Sequence, residues 1–253
     1  MELTVVGSGT AAPEADRVAS CYMVQVGTST ILLDCGPGAL HNMARFGLPW
    51  QDVTHLCLSH FHTDHVGDVP ALFFALKYGQ LSPREAPLTV YGPKGLRRFF
   101  RKLAAAFGNY IADPGFPLEL CEMKRGARLP LNDVAHISAA ATPHTDASVA
   151  YRIERAERSL GYTGDTGHHV DVGAFLQSLD LLIAECSLPD ELAMEGHLTP
   201  SRLAALARVA LPRRLLLTHI YPQLDRANVI ELVRQAGWEG EMLIAEDGQK
   251  ITL

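Results

Sequence analysis

Three imidazoles and one carboxylate fall within the six residues His60-Phe61-His62-Thr63-Asp64-His65, in the order H-x-H-x-D-H. That composition is the composition of a metal site: neutral imidazole suits zinc, and a carboxylate completes a shell of nitrogen and oxygen donors. The residues before it, 53–59, are apolar and β-favouring, and those after it, 67–78, read as a helix. The cluster is therefore predicted on a strand-to-helix turn, where side chains can converge on one point. Neighbouring residues of regular structure cannot all reach one ion, so His60 and His62 are assigned to one ion, Asp64 and His65 to a second. A solvated His-rich turn or an expression tag is the bland alternative, but a tag would be terminal.

Two ions need further ligands. His144, Asp165 and His219 each stand just after a strand-like run, where apolar β-structure meets a turn. Loops at strand ends carry function on a rigid scaffold. Each of the three alone could be a capping or core residue; together with the cluster they complete two sites.

The elements that must position these residues are strands predicted at 2–6, 21–26, 30–34, 53–58 and 88–91, with helices at 39–46, 67–78 and 94–106. A second series follows: strands at 118–123, 134–141, 148–154 and 159–163, helix 170–178, strand 180–185, helix 199–209, strand 213–218, helix 226–236 and strand 242–245. The breaker-rich segment 108–117 is expected to form a loop over the site. The order is β-rich then α/β, twice over, so the fold class is α+β with two similar βα halves. Two sheets packed face to face with helices outside satisfy it, as one domain over residues 1–253.

A chain of 253 residues with 47% hydrophobic and 20% charged residues can bury a large core. No apolar run approaches the length that spans a bilayer, and no membrane association is expected. The N-terminus lacks a basic segment and enters a strand pattern at once, which points to the cytoplasm. Five scattered cysteines without a C-x-x-C pair read as reduced core thiols, Cys186 among them. A net charge of −6 argues against a broad basic surface for nucleic acid. The densest basic stretch, Lys94 to Lys102, is read as the solvated face of an amphipathic helix.

On these residues the chain resembles the metallo-β-lactamase superfamily over essentially its whole length, which implies a four-layer αββα sandwich. The resemblance implies that His60, His62 and His144 hold one zinc, that Asp64, His65 and His219 hold the other, and that Asp165 bridges them. Manganese or iron can occupy such sites as well. Two ions bridged by a carboxylate also share a water and lower its pKa toward neutrality, which implies hydrolysis through a metal-bridging hydroxide.

Within the superfamily, Gly7-Ser8-Gly9-Thr10-Ala11-Ala12-Pro13 resembles the opening of ribonuclease Z-like members, and Glu185 and His197 recur as in that branch. There the carboxylate orients the imidazole and favours its protonated form, suited to stabilise a phosphate or protonate a leaving alkoxide. His197 also precedes a helix that opens Thr199-Pro200, a good anion site. Asp165 stands only 21 positions after His144. Ribonuclease Z enzymes that process transfer RNA insert a long arm in this interval, so extended tRNA binding is not expected.

Other branches fit less well. Flavodiiron proteins carry a carboxylate where His62 stands, and hydroxyacylglutathione-type hydrolases have a longer C-terminal region than the 34 residues after His219. The reading is a phosphodiesterase acting on small or cyclic phosphodiesters or RNA ends. Asp64 would orient the water, and His197, steered by Glu185, would act as electrophile or acid. A thioester or lactone hydrolase of the same fold is the alternative, and a catalytically silent metal-binding regulatory protein is the alternative of another class. Relatives in this branch are commonly homodimers. His41, His55 and His136 are assigned structural roles, His168 and His169 a solvated turn; Tyr110, Phe116 and Tyr221 are possible pocket-lining aromatics.

Overall fold

In the computed structural model, which describes residues 1–124 and 126–253, the chain forms two sheets back to back. Strands β1 (Glu2–Gly7), β2 (Cys21–Val26), β3 (Ser29–Leu33), β4 (His55–Cys57), β5 (Leu88–Gly92) and β6 (Leu118–Glu122) build the first sheet, and β14 (Lys250–Thr252) joins its edge. Its order is β14-β1-β2-β3-β4-β5-β6. The second sheet contains β7 (Arg128–Pro130), β8 (Ala135–Ala141), β9 (Val149–Arg155), β10 (Arg158–Tyr162), β11 (Leu181–Glu185), β12 (Arg214–Thr218) and β13 (Glu241–Ile244), in the reverse order β13 to β7. Antiparallel strands β1 to β3 and β7 to β10 lead in each sheet into a parallel set, β3 to β6 and β10 to β13. The two halves repeat one plan.

Strand periodicity explains the layers. Successive side chains point to opposite faces. Leu3, Val5, Ile31 and Leu33 meet Tyr151, Ile153, Ile183 and Leu216 in the core between the sheets. Their neighbours Val6 and Leu32 face outward, yet are covered by α1 (Ala39–Arg45), α3 (Val69–Tyr78) and α4 (Leu96–Phe107) through Met43, Leu72, Phe73 and Phe100. Leu182, Ala184, Leu215 and Leu217 are covered likewise by α5 (Val170–Phe175), α6 (Pro200–Ala210) and α7 (Val229–Gln235). The central strands are therefore apolar on both faces, as parallel strands under helices require. Truncating a fully buried residue of this core such as Ile183 to Ala would cost about 2–5 kcal/mol.

Several boundaries differ from the sequence reading. The expected helix 67–78 is two helices, because α2 (Thr63–Val66) begins inside the histidine cluster. The β3–α1 loop interrupts the run: Cys35 donates its N–H to His65 O and accepts from Asp68 N. Strand 53–58 shortens to β4, and a 3₁₀ turn at residues 50–52 precedes it. Strands β7 and β14, three residues each, are too short and too exposed to carry a period. Segment 108–117 does not lie over the site. Ile111 and Phe116 are buried with Phe73 and Phe100, and Tyr110 packs edge-on to Phe74 of α3 at 5.1 Å. Its aromatic residues found an apolar partner in the α3–α4 face, which outweighs the breaker residues as a guide. Among the described residues no helix is long and apolar enough to cross a membrane.

Candidate metal centre

The carboxyl ends of the parallel strands in both sheets converge at one edge, the place where open α/β sheets bind ligands. Asp34 follows β3, the His60–His65 run follows β4, and His144 lies beyond β8; Asp165 follows β10, Glu185 ends β11 and His219 follows β12. Close packing is needed to bring these loops together. A Cβ on Gly36 would stand 2.1 Å from Asp64 O, so only glycine lets the two loops approach. Asp34 and His219 both adopt left-handed backbone, with φ of 58° and 53°. Such conformations cost about 1–3 kcal/mol and persist where surrounding structure over-determines them. Asp34 N donates to Cys57 O at 2.9 Å, and His219 N to Ser8 O at 3.3 Å.

The seven residues singled out by the sequence come together. His60, His62, His144 and Asp165 form one group able to hold an ion, and Asp64, His65 and His219 a second, with donor atoms in each within 4.8 Å of one another. Asp165 lies between them and offers one oxygen to each. Its Oδ2 is 3.8 Å from His60 Nε2 and 3.7 Å from His144 Nε2; its Oδ1 is 3.3 Å from His65 Nε2 and 3.7 Å from His219 Nε2.

Divalent cations fit this set. His60 Nε2, His65 Nε2 and Asp165 Oδ1 are buried without a hydrogen-bond partner. Each such orphan costs about 1–3 kcal/mol unless something satisfies it. Among the buried polar groups of the protein, three at one point, all good ligand atoms, are accounted for by an ion rather than by packing.

The electrostatics are those of the cluster without an ion: against the cost of burial, Asp165 and Asp34 raise the pKa of His65, so an incoming cation displaces its Nε2 proton. Burial, with the neighbouring charge of His65, pushes His60 down to about 2, so its ring is neutral and its lone pair available. Burial also lowers His144. Burial opposes ionisation of Asp64, but the His219 hydrogen bond and the charges of His65 and His219 prevail and bring it to about 2. Asp165 is held ionised in the same way, by His219, His65 and His60 against the cost of burial.

A second layer orients the rings, as in most metal sites. His65 Nδ1 donates to Asp34 Oδ2 at 2.6 Å, and the same carboxylate accepts from Tyr162 OH at 2.6 Å, Ser59 Oγ at 2.7 Å and Ser59 N at 2.7 Å. His60 Nδ1 meets Ser59 Oγ at 3.0 Å, His144 Nδ1 donates to Gly196 O at 2.8 Å, and His219 Nδ1 meets Ser187 Oγ at 3.0 Å. Ser187 Oγ in turn donates to Glu185. In each case Nδ1 is engaged, which leaves Nε2 to face the centre. Sequence reasoning missed Asp34. Its signal was present, since Asp34 follows the apolar run Ile31-Leu32-Leu33, the same criterion that found Asp165 and His219.

Glu185 and His197 are paired at the edge of the cluster, with His197 Nδ1 3.1 Å from Glu185 Oε2. Glu185 is itself fixed, since Thr166 N donates to its other oxygen at 2.6 Å. Burial works against protonation of His197, yet the hydrogen bond and charge of Glu185, with Asp165 and Asp64 behind it, raise its pKa above the ordinary histidine value. With Asp165 and His219, His197 makes a third group of donors within reach of one ion. Its ring is partly exposed, unlike those of His60 and His65.

Two cavities flank the cluster. One of about 930 Å³ is lined by His144, Thr145, Gly167, His168, Glu195 and Arg202 among others. The other, of about 430 Å³, runs from Thr10 and Pro13 past Arg17 to Thr63 and Asp64. His168, expected in a solvated turn, is exposed but borders the larger cavity. Tyr221 stands 5.5 Å from the His219 ring, whereas Tyr110 and Phe116 line neither cavity. His55 is buried and stacked on Tyr91, a structural role. Cys186 is buried, and burial pushes its thiol well up, away from nucleophilic use.

The model of the beta-lactamase superfamily domain matches residues 29–220, the span that contains every residue of the two donor groups. Ribonuclease Z of Haloferax volcanii is 28% identical over 99% of this chain and 94% of its own. The crystal structure of the metallo-beta-lactamase fold protein YhfI from Bacillus subtilis superposes with a TM-score of 0.83 at 26% identity, over 99% of this chain and 98% of its own. The short form of human tRNase Z gives 0.79 at 25% identity, over 100% and 99%. The chain belongs to the beta-lactamase superfamily, in its ribonuclease Z-like branch, and is a metal-dependent hydrolase.

Proposed function

We propose that the protein is a phosphodiesterase of small or cyclic phosphodiesters or RNA ends, with two zinc ions held by His60, His62 and His144 on one side and Asp64, His65 and His219 on the other, Asp165 between them. The observation that carries this reading is the Glu185–His197 pair at the rim of the cluster. A protonated imidazole beside the Asp165 carboxylate suits a reaction whose leaving group departs as an alkoxide. When bound, the ions would supply positive charge for phosphate oxygens and a water of lowered pKa.

The chain's own residues do the rest. Asp64, partly exposed and ionised, would accept a hydrogen bond from the attacking water and take its proton. As oxygen bonds to phosphorus on one side, the bond to the leaving oxygen breaks on the other, and His197 Nε2 gives that oxygen its proton. Glu185 holds the imidazole by Nδ1, so that Nε2 is the atom presented. The interval between His144 and Asp165 is taken up by the β9–β10 hairpin, whose turn is Ala156-Glu157. This supports a substrate that enters without an arm to grip a folded RNA. Five free cysteines accord with the reducing cytoplasm proposed as its compartment.

The test is hydrolysis of bis(p-nitrophenyl) phosphate alongside a thioester and a lactone of similar size. Turnover of the phosphodiester at a hundredfold or more over the other two supports the reading; preference for the thioester or lactone contradicts it.

A further inference from the structure

The basic stretch between Lys94 and Lys102 follows β5, one of the parallel strands whose carboxyl ends meet at the edge that carries the cluster. Lys94, Arg97, Arg98, Arg101 and Lys102 are all exposed, and among the described residues none of their side chains is ion-paired. The nearby carboxylate of Glu122 is turned to the helix start, where it accepts from Gly95 N at 3.0 Å and Arg97 N at 3.4 Å. Four uncompensated cations on α4, with Lys94 just before it, stand out in a chain of net charge −6. An amphipathic helix needs charge on its solvent face, but solvation alone asks for both signs, and α4 carries no acid.

The helix is tied to the catalytic edge by Phe61, which sits between His60 and His62. Its ring stacks on Phe99 of α4 with centroids 4.6 Å apart and planes 17° from parallel. Gly95 lies beside it; a Cβ there would be 3.8 Å from the Phe61 ring. At 100° per residue, Arg98 and Lys102 follow Phe99 and Gly95 round the helix, so they border the half-exposed Phe61–Phe99 stack. Aromatic faces beside a row of cations are the elements that hold unpaired bases and their backbone. From Arg97 to Lys102 the row rises about 7.5 Å along the helix, enough for about two phosphates of one strand.

We propose that α4 is a docking surface for single-stranded RNA. Arg98, Lys102 and their basic neighbours hold backbone phosphates, and the Phe61–Phe99 stack receives a base next to the phosphodiester presented to the metal centre. The inference rests on the phosphodiesterase reading for the identity of the chemistry, though not for the binding itself. It makes an oligonucleotide a better substrate than a lone nucleotide diester, since only the former reaches both sites.

The experiment measures binding of a fluorescein-labelled RNA dodecamer by anisotropy, in chelator, so that no turnover is needed. Arg98→Glu/Lys102→Glu is compared with the parent and with Arg158→Ala/Arg213→Ala, two exposed arginines that face Asp180. The α4 variant is expected to bind tenfold or more weakly, and the slope of log affinity against log salt to shrink by about 1.4, at about 0.7 per lost phosphate contact. The control pair should bind like the parent, and both variants should hydrolyse bis(p-nitrophenyl) phosphate at the parental rate. Parental RNA affinity in the α4 variant would overturn the proposal. So would α4-dependent capture by vesicles containing phosphatidylserine with no binding of RNA. If RNA binds through α4 but no phosphodiester is ever hydrolysed, the docking surface stands and the phosphodiesterase reading falls.

Discussion

His65 donates from Nδ1 to Asp34 Oδ2 at 2.6 Å, and both residues are wholly buried. This contact decides which nitrogen of His65 faces the metal centre, because the ring can direct only Nε2 inward once Nδ1 is engaged. Asp34 also binds Ser59 and Tyr162, so one carboxylate braces the turn that carries the histidine cluster and the second sheet at once.

Asp34→Asn is therefore expected to weaken metal binding by about 10–100-fold, the usual effect of losing an outer partner of a ligand. Asparagine tolerates the left-handed backbone at this position, so the change tests charge and acceptor capacity rather than conformation. Competition with a chromogenic chelator measures it; parental affinity would mean that Asp34 serves folding alone.

Glu185→Gln separates orientation from acidity. Glu185 raises the pKa of His197, so the acid form persists above ordinary histidine pH and is lost as pH rises through the raised value. The basic limb of the kcat profile should move to lower pH in the variant, with metal content unchanged. A profile that stays in place would remove His197 from the role of acid.

His55 provides a stability test remote from the metals. Burial lowers it to about 4, against an ordinary histidine near 6.5. The unfolded chain takes up the proton first, so stability is complete above about 6.5 and is lost as pH falls toward 4. The full effect is about 3 kcal/mol at most. His55→Phe, which keeps an aromatic against Tyr91, should show a shallower loss of stability in urea titrations over that window. Parallel curves for parent and variant would contradict this.

Asp247 joins the chain's end to its beginning. Its carboxylate accepts from Ser8 N at 2.9 Å, Ser8 Oγ at 2.7 Å, Val18 N at 2.8 Å and Asn42 Nδ2 at 2.9 Å. Asp247→Ala leaves these donors unpaired and should destabilise the fold by about 3 kcal/mol. It should also loosen Ser8, whose carbonyl receives His219 N. Denaturant midpoints and metal affinity together test it; a loss of stability with metal affinity intact would confine Asp247 to folding.

Much of the candidate centre could be read from the chain because the residues that could hold ions are of one chemical kind and follow apolar strands. His60, His62, Asp64 and His65 are adjacent in sequence, and His144, Asp165 and His219 each stop a strand-like run. The outer layer was harder to read. Asp34 met the same criterion, but a lone aspartate before Cys-Gly reads equally well as a turn residue, and Ser187 has no signal beyond its place near Glu185. The elements show a similar division. Long apolar strands such as β11 declare themselves, whereas β7 and β14 exist through pairing with β8 and β1, which no local pattern encodes. The 108–117 segment went to the α3–α4 face because tertiary burial of Ile111 and Phe116 outweighed its breakers.

The most direct measurement is turnover of bis(p-nitrophenyl) phosphate against zinc bound per chain, for the parent and for His197→Ala. The expected result is a rate that saturates at about two zinc ions, with the variant binding the same metal but slower by about a hundredfold or more. A fully metal-loaded parent without phosphodiester turnover, or a His197→Ala protein as fast as the parent, would contradict the account.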